Sequence, residues 1–149
     1  MPRWYFEDFT PGFVLEAAGP TVKTEDIIEF ATKYDPQYFH TDPEAAKDSL
    51  FGALCASGWH TAAMCMRMMC DAYLLDSASL GSPGIDELRW TRPVFVGDTL
   101  KWKMTVLEQR PSRSRPEMGS VLSKWEVFNQ KDEPVMHMTG WGMFKKRAP

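Results

Sequence analysis

Ser57-Gly58-Trp59-His60-Thr61-Ala62-Ala63-Met64-Cys65-Met66-Arg67-Met68-Met69-Cys70-Asp71-Ala72-Tyr73-Leu74-Leu75-Asp76-Ser77 is the longest run in the chain that reads as a helix. It is rich in Ala and Met and apolar on most sides, the pattern of a helix enclosed by other structure rather than laid on a surface. Arg67 and Asp71 interrupt it, whereas a membrane span needs about twenty uninterrupted apolar residues. Downstream the period changes. Leu100, Trp102, Met104 and Val106 alternate with Lys101, Lys103 and Thr105, which predicts a strand with one dry face and one wet face. Residues 86–92, 120–128 and 134–145 predict further strands, with Gly140 and Gly142 marking a bulge or a close backbone approach in the last. Residues 13–22 could add another. One buried helix followed by several antiparallel strands makes an α+β fold, the helix lying in the concavity of a curled sheet.

Upstream of the long helix, Thr24 is a plausible N-cap, with Glu25 and Asp26 in a first turn where acids favour the helix dipole. Ile27, Phe30, Ala31 and Tyr34 recur at helical spacing. Pro36 disfavours helical geometry at Asp35, so this helix stops there and leaves Asp35 at its end. Asp42-Pro43 announces a second, short helix, with Asp42 as its cap and Pro43 at its first position. His40 lies in the irregular segment between the two.

The chain has 149 residues and a mass of 17.0 kDa, which suits a single domain over residues 1–149. Its 44% hydrophobic and 25% charged residues are ordinary for a globular protein, and no repeat, low-complexity tract or linker interrupts them. A formal charge of -3 argues against nucleic-acid binding. The start, Met1-Pro2-Arg3-Trp4-Tyr5-Phe6-Glu7-Asp8, lacks the apolar run of a secretory leader, so a cytoplasmic location is expected. Cys55, Cys65 and Cys70 are odd in number and lack Cys-x-x-Cys spacing; buried free thiols are expected, and no metal site.

Asp35 and His40 can converge if the loop between the helices turns back. Taken alone the pair proves little, because Asp35 could merely end its helix while His40 packs against Tyr38 or Phe39. A third element adds weight. Ala56-Ser57-Gly58 opens the long helix, whose first amides have no intrahelical acceptor and lie at the positive end of the dipole. Such amides suit a developing oxyanion; equally, Ser57 could be a plain N-cap and Gly58 could only relieve crowding against the sheet. The three together match what hydration of an α,β-unsaturated thioester requires: water activated beside the β-carbon, a proton delivered to the α-carbon, and a stabilised enolate oxygen. His60, one turn into the long helix, reads as a packed or capping residue, and His137 falls in a strand pattern and reads as half exposed. Arg110, Arg113 and Arg115 fall in a loop with Pro111 and Pro116, where they are either solvated or in reach of coenzyme A phosphates.

The run Tyr34-Asp35-Pro36-Gln37-Tyr38-Phe39-His40-Thr41-Asp42-Pro43, followed by Phe51-Gly52-Ala53-Leu54-Cys55-Ala56-Ser57-Gly58, resembles the MaoC-like dehydratases and (R)-specific enoyl-CoA hydratases. The likeness extends to Tyr5-Phe6-Glu7-Asp8 and to Arg92-Pro93-Val94-Phe95-Val96-Gly97-Asp98-Thr99-Leu100. It implies a hot-dog fold assembled as a homodimer or larger homo-oligomer, with sites at the subunit interface and no cofactor beyond the coenzyme A carried by the substrate. It also implies catalytic roles for Asp35 and His40 and a thioester-facing amide at Gly58, with Ser57 beside it. Where many members of the group have Asn and Pro, this chain has Gln37 and Tyr38; Ser57 stands where a His often precedes the glycine, and Met66 where a Ser often lies. The expected activity is addition of water to a trans-2-enoyl-CoA, giving a 3-hydroxyacyl-CoA. A hot-dog acyl-CoA thioesterase and a noncatalytic acyl-CoA-binding subunit are the alternatives.

Overall fold

The computed structural model describes residues 1–149. Five strands, β1 (Val14–Thr21), β2 (Ser79–Trp90), β3 (Thr99–Pro111), β4 (Met118–Phe128) and β5 (Pro134–Lys145), form one antiparallel sheet in the order β1-β3-β4-β5-β2. Helices α1 (Thr24–Tyr34), α2 (Tyr38–Thr41) and α3 (Pro43–Ala46) follow β1, and α4 (Gly58–Ala72) precedes β2. The α+β arrangement is the expected one.

The alternation in β3 decides the core. Leu100, Trp102, Met104 and Val106 are buried to 1% exposure or less, and the strand pairs β1 on one side and β4 on the other. From α4, Cys65, Met68 and Met69 descend onto that face, joined by Val121, Trp125 and Val127 of β4 and by Val135, Met136 and Met138 of β5. Burial raises the Cys65 thiol to about 12. At the far end of the sheet Phe9 packs against Tyr73 and Phe144, with ring centroids 5.7 and 4.5 Å away.

Several elements differ from the sequence reading. The long helix ends at Ala72 and a short 3-10 turn, Leu74–Asp76, carries the chain into β2. Nor is α4 enclosed on all sides: Trp59 and Met66 are exposed, because the five strands of one chain cover only one flank of the helix. β2 begins seven residues before position 86, since Gly81 and Gly84 take positive φ and interrupt the side-chain alternation that a sequence reading follows. Thr24 is the first helical residue rather than the cap of α1. Asp42 does cap α3, accepting hydrogen bonds from the Glu44 and Ala45 amides. Gly140 marks the anticipated close approach, since a Cβ there would stand 3.1 Å from the Gly84 carbonyl oxygen. Cys55 and Cys65 are buried thiols, while Cys70 is half-buried. No helix is long and apolar enough to cross a membrane.

Phe9→Ala would remove a ring exposed by only 1% from this cluster and is expected to destabilise the protein by about 3–5 kcal/mol in urea unfolding. Leu50→Ala, at a side chain 98% exposed, is expected to change stability by less than about 0.5 kcal/mol.

Candidate functional site

Three elements meet where α1 ends, α2 begins and α4 starts. The Asp35 amide still donates to the Ala31 carbonyl at 2.8 Å, but its φ of -154° has left the helical region, as Pro36 requires. That turn carries the Asp35 side chain across to α4. Ser57 Oγ donates to Asp35 Oδ2 at 2.7 Å and accepts from the Trp59 amide at 3.3 Å, so one hydroxyl caps α4 and grips the carboxylate. Gln37 Nε2 donates to Asp35 Oδ1 at 2.7 Å. Two of the departures from the common pattern, Gln37 and Ser57, are thus the groups that hold Asp35.

His40 is buried, with Nε2 3.5 Å from Asp35 Oδ2. That separation exceeds a good N–H···O bond. Its other nitrogen, Nδ1, lies 2.7 Å from the Cys55 carbonyl oxygen. A carbonyl only accepts, so Nδ1 carries the proton and, in the neutral ring, Nε2 presents its lone pair towards Asp35. The Cys55 carbonyl is itself fixed, because the Cys55 amide donates to the Phe39 carbonyl and the Ala56 amide to the Val94 carbonyl. Cys55 Sγ sits 3.7 Å from Nδ1. Burial and the nearby Asp35 charge push that thiol up to about 11, so it is protonated and inert at neutral pH.

Burial tends to raise the Asp35 carboxyl, yet the hydrogen bonds from Ser57 and Gln37, together with the His40 charge, outweigh it and bring Asp35 below its ordinary 3.8. The site therefore pairs an anchored carboxylate with an imidazole whose free nitrogen faces it.

Gly58 is the first residue of α4, so its amide has no acceptor within the helix. A Cβ at this position would stand 2.5 Å from the Trp90 indole at the end of β2. The residue thus leaves an amide without a helical acceptor and also makes room for the sheet. A cleft of about 270 Å³ opens here, walled by His40, Phe51, Gly58, Trp90, Arg92 and Val94 among others. Asp35 stands outside that lining, on the Nε2 side of the imidazole. A second, apolar cavity of about 250 Å³ lies further along α4, bordered by Met66, Met69, Tyr73, Ile85, Trp125 and Trp141 among others.

The remaining candidates lie elsewhere. His60 is buried and stacks on Phe30 at 4.8 Å; burial lowers its pKa against the opposing pull of Asp26. His137 is part of β5. Arg110 pairs with Ser120 inside β3 rather than lying in the loop, because the strand runs on to Pro111, and Arg113 and Arg115 lie in the turn to β4, at the end of the sheet away from Gly58. No three His, Cys, Asp or Glu side chains stand together in a metal-binding group. Sequence reading passed over the Cys55 carbonyl and Trp90. A backbone acceptor leaves no residue-type signal, and Trp90 reaches Gly58 only through the packing of β2 beside α4. Gln37 was visible as an amide two residues from Asp35.

Ser57→Ala removes one anchor of the carboxylate, and carbon-detected NMR titration should find the Asp35 pKa moved upward. Because the depressed native value contributes stability above 3.8 that is lost as pH falls through it, the variant's stability deficit should shrink in acid. An unmoved Asp35 pKa contradicts the anchoring role.

Matches to known proteins place the chain in a family. The family model described as "MaoC like domain" matches residues 9–125. The crystal structure of a MaoC-like dehydratase from Rhodospirillum rubrum superposes with a TM-score of 0.90, at 39% identity over 98% of this chain and 99% of that one. The protein YdeM of Bacillus subtilis is 29% identical over 129 residues, 87% of this chain and 90% of its own. The 3-hydroxyacyl-thioester dehydratase Z of Mycobacterium tuberculosis is 31% identical over 83 residues, about half of each protein, 54% and 55%. With its curled five-stranded sheet, its long helix and the segment that joins Asp35, His40 and Gly58, the chain belongs to the MaoC-like dehydratase family.

Proposed function

We propose that the protein adds water to a trans-2-enoyl-CoA, or removes it from the 3-hydroxyacyl-CoA, at Asp35 and His40. The observation that carries this reading is the 3.5 Å gap between His40 Nε2 and Asp35 Oδ2, with the Nδ1 side already committed to the Cys55 carbonyl. One water beside the pair, within hydrogen-bond reach of both atoms, donates to both acceptors. Its oxygen attacks the β-carbon while a proton passes to Nε2, and the alkene electrons move through the α-carbon onto the thioester oxygen. The Gly58 amide, aided by the dipole of α4, stabilises that oxygen. The imidazolium formed beside the Asp35 carboxylate then returns the proton to the α-carbon, leaving the hydroxyl on the β-carbon and regenerating neutral His40. Coenzyme A enters as part of the substrate, and the reaction needs no metal or redox group. The cavity along α4, whose lining is mostly apolar, supports an acyl chain lying beside the helix.

A homodimer belongs to the same reading. β2 is a twelve-residue edge strand with one unpaired side and exposed Leu80, Ile85 and Trp90, a surface that soluble proteins rarely leave uncovered.

The test is loss of the enoyl-thioester absorbance on mixing with crotonyl-CoA, repeated with longer and branched enoyl-CoAs. Asp35→Asn and His40→Ala are each expected to lower kcat/KM by about 10²–10⁴-fold. Release of free thiol would replace hydration with thioester hydrolysis. Tight acyl-CoA binding without turnover, indifferent to Asp35→Asn, would leave a binding subunit.

A further inference from the structure

The apolar cavity along α4 contains two hydroxyls that the fold itself does not fully use. Val121, Ser123 and Trp125 alternate onto the same buried face of β4, and all three line the cavity. Ser123 is 3% exposed and pairs with Val106 and Gly140 through its backbone, yet its side chain makes no hydrogen bond. The other serines of the lining are engaged: Ser82 Oγ donates to the Trp141 carbonyl at 2.6 Å, and Ser79 Oγ accepts from the Gly81 amide at 3.4 Å.

Tyr73, at the end of α4 and also 3% exposed, is half engaged. Trp125 Nε1 donates to Tyr73 Oη at 3.3 Å, and because an indole nitrogen only donates, the phenol's own proton is left for another acceptor. Burial raises the Tyr73 pKa well above its ordinary value, so that proton stays in place. Buried hydroxyls are hydrogen-bonded in most proteins, since an unpaired one costs free energy. Here two of them, one from the helix end and one from the sheet, border a single apolar space.

The lining narrows what can satisfy them. No Asp, Glu, Lys, Arg or His borders the cavity, so an ionised group would enter without a counter-charge. A neutral oxygen accepts from both hydroxyls and leaves the rest of the wall to methylenes.

The frame of the fold sets how far that oxygen stands from the thioester. On α4, Thr61 borders the cleft at Gly58 and Met66 borders the cavity. On the sheet, Val127 lines up through Met136 with Trp90, the residue that covers Gly58. From Val127 back to Ser123 the strand covers roughly 13 Å. An extended chain advances about 3.5 Å in three bonds, so roughly ten bonds span the interval.

We infer that the cavity selects acyl groups of medium length, about ten carbons, that carry a neutral hydroxyl or carbonyl oxygen at the far end, held by Ser123 Oγ and Tyr73 Oη. The inference deepens the acyl-CoA reading above and rests on it.

Decanoyl-CoA and ω-hydroxydecanoyl-CoA, which have no alkene to hydrate, separate binding from chemistry. In calorimetry the wild type is expected to bind the hydroxylated ester at least about tenfold more tightly, and Ser123→Ala to lose most of that preference while binding decanoyl-CoA as before. Equal affinities in the wild type, or a preference that survives in Ser123→Ala, overturn the inference. Ser123→Ala should also keep the wild-type urea midpoint, because it removes a hydroxyl that the fold does not use. A lowered midpoint would assign that hydroxyl to the fold and overturn the inference as well. With the trans-2-enoyl forms of the same two esters, kcat/KM for hydration is expected to show the same preference. A wild type that favours ω-hydroxydecanoyl-CoA through Ser123 yet hydrates neither enoyl ester would remove the hydratase reading and leave the cavity's selectivity. Hydration of both at equal kcat/KM would do the reverse.

Discussion

The hydrogen bond from Ser57 Oγ to Asp35 Oδ2, 2.7 Å long, ties the end of one helix to the beginning of another. Everything proposed for the site depends on that tie. Asp35 has left helical geometry and sits on a turn that packing alone would not fix, whereas Ser57 is fully buried and already committed to capping α4. Donating to Asp35 while it accepts from the Trp59 amide, the hydroxyl sets the carboxylate at a defined distance from His40 and holds it ionised. Gln37 closes the other side. The tie also places the acid–base pair beside the amide end of the helix, so that the groups that move protons and the groups that stabilise charge share one frame.

The imidazole is positioned by the opposite device. Asp35 is held by side chains, His40 by a backbone carbonyl whose own peptide neighbours are pinned between Phe39 and Val94. A carbonyl partner permits one tautomer of the neutral ring, and that tautomer turns a lone pair towards the carboxylate. Two acceptors facing each other across 3.5 Å is an unfavourable arrangement unless something with protons stands beside them. Water is the smallest such group, and in the proposed reaction it is also the substrate.

Much of this was legible in the residues, for identifiable reasons. β3 could be read because its two faces differ so sharply that alternation survives along the whole strand. The end of α1 could be read because Pro36 acts on the residue before it, a local steric rule. β2 resists, since its glycines and its position at the edge erase the alternation on which a strand prediction relies, and α4 reads as a fully enclosed helix because its apolar flanks are wider than the face one sheet covers. Asp35, His40 and Gly58 stand out by their order and spacing; in space His40 Nε2 lies 3.5 Å from Asp35 Oδ2, and Ser57, the neighbour of Gly58, bonds that carboxylate. What sequence could not supply was the set of partners: the Cys55 carbonyl has no residue-type signature, and the contact between Trp90 and Gly58 joins positions distant in the chain. Substitutions that looked like departures, Ser57 and Gln37, became intelligible only when both were seen to donate to the same carboxylate.

The central claim is that one water, held by Asp35 and His40 on a single face of the substrate, supplies both the hydroxyl and the α-proton. Hydration of crotonyl-CoA in deuterium oxide, followed by NMR of the 3-hydroxybutyryl product, reads that geometry from the relative configuration of the two new substituents. The account predicts syn addition, with deuterium and hydroxyl on the same face. Anti addition would require proton donors and water on opposite faces and would contradict it.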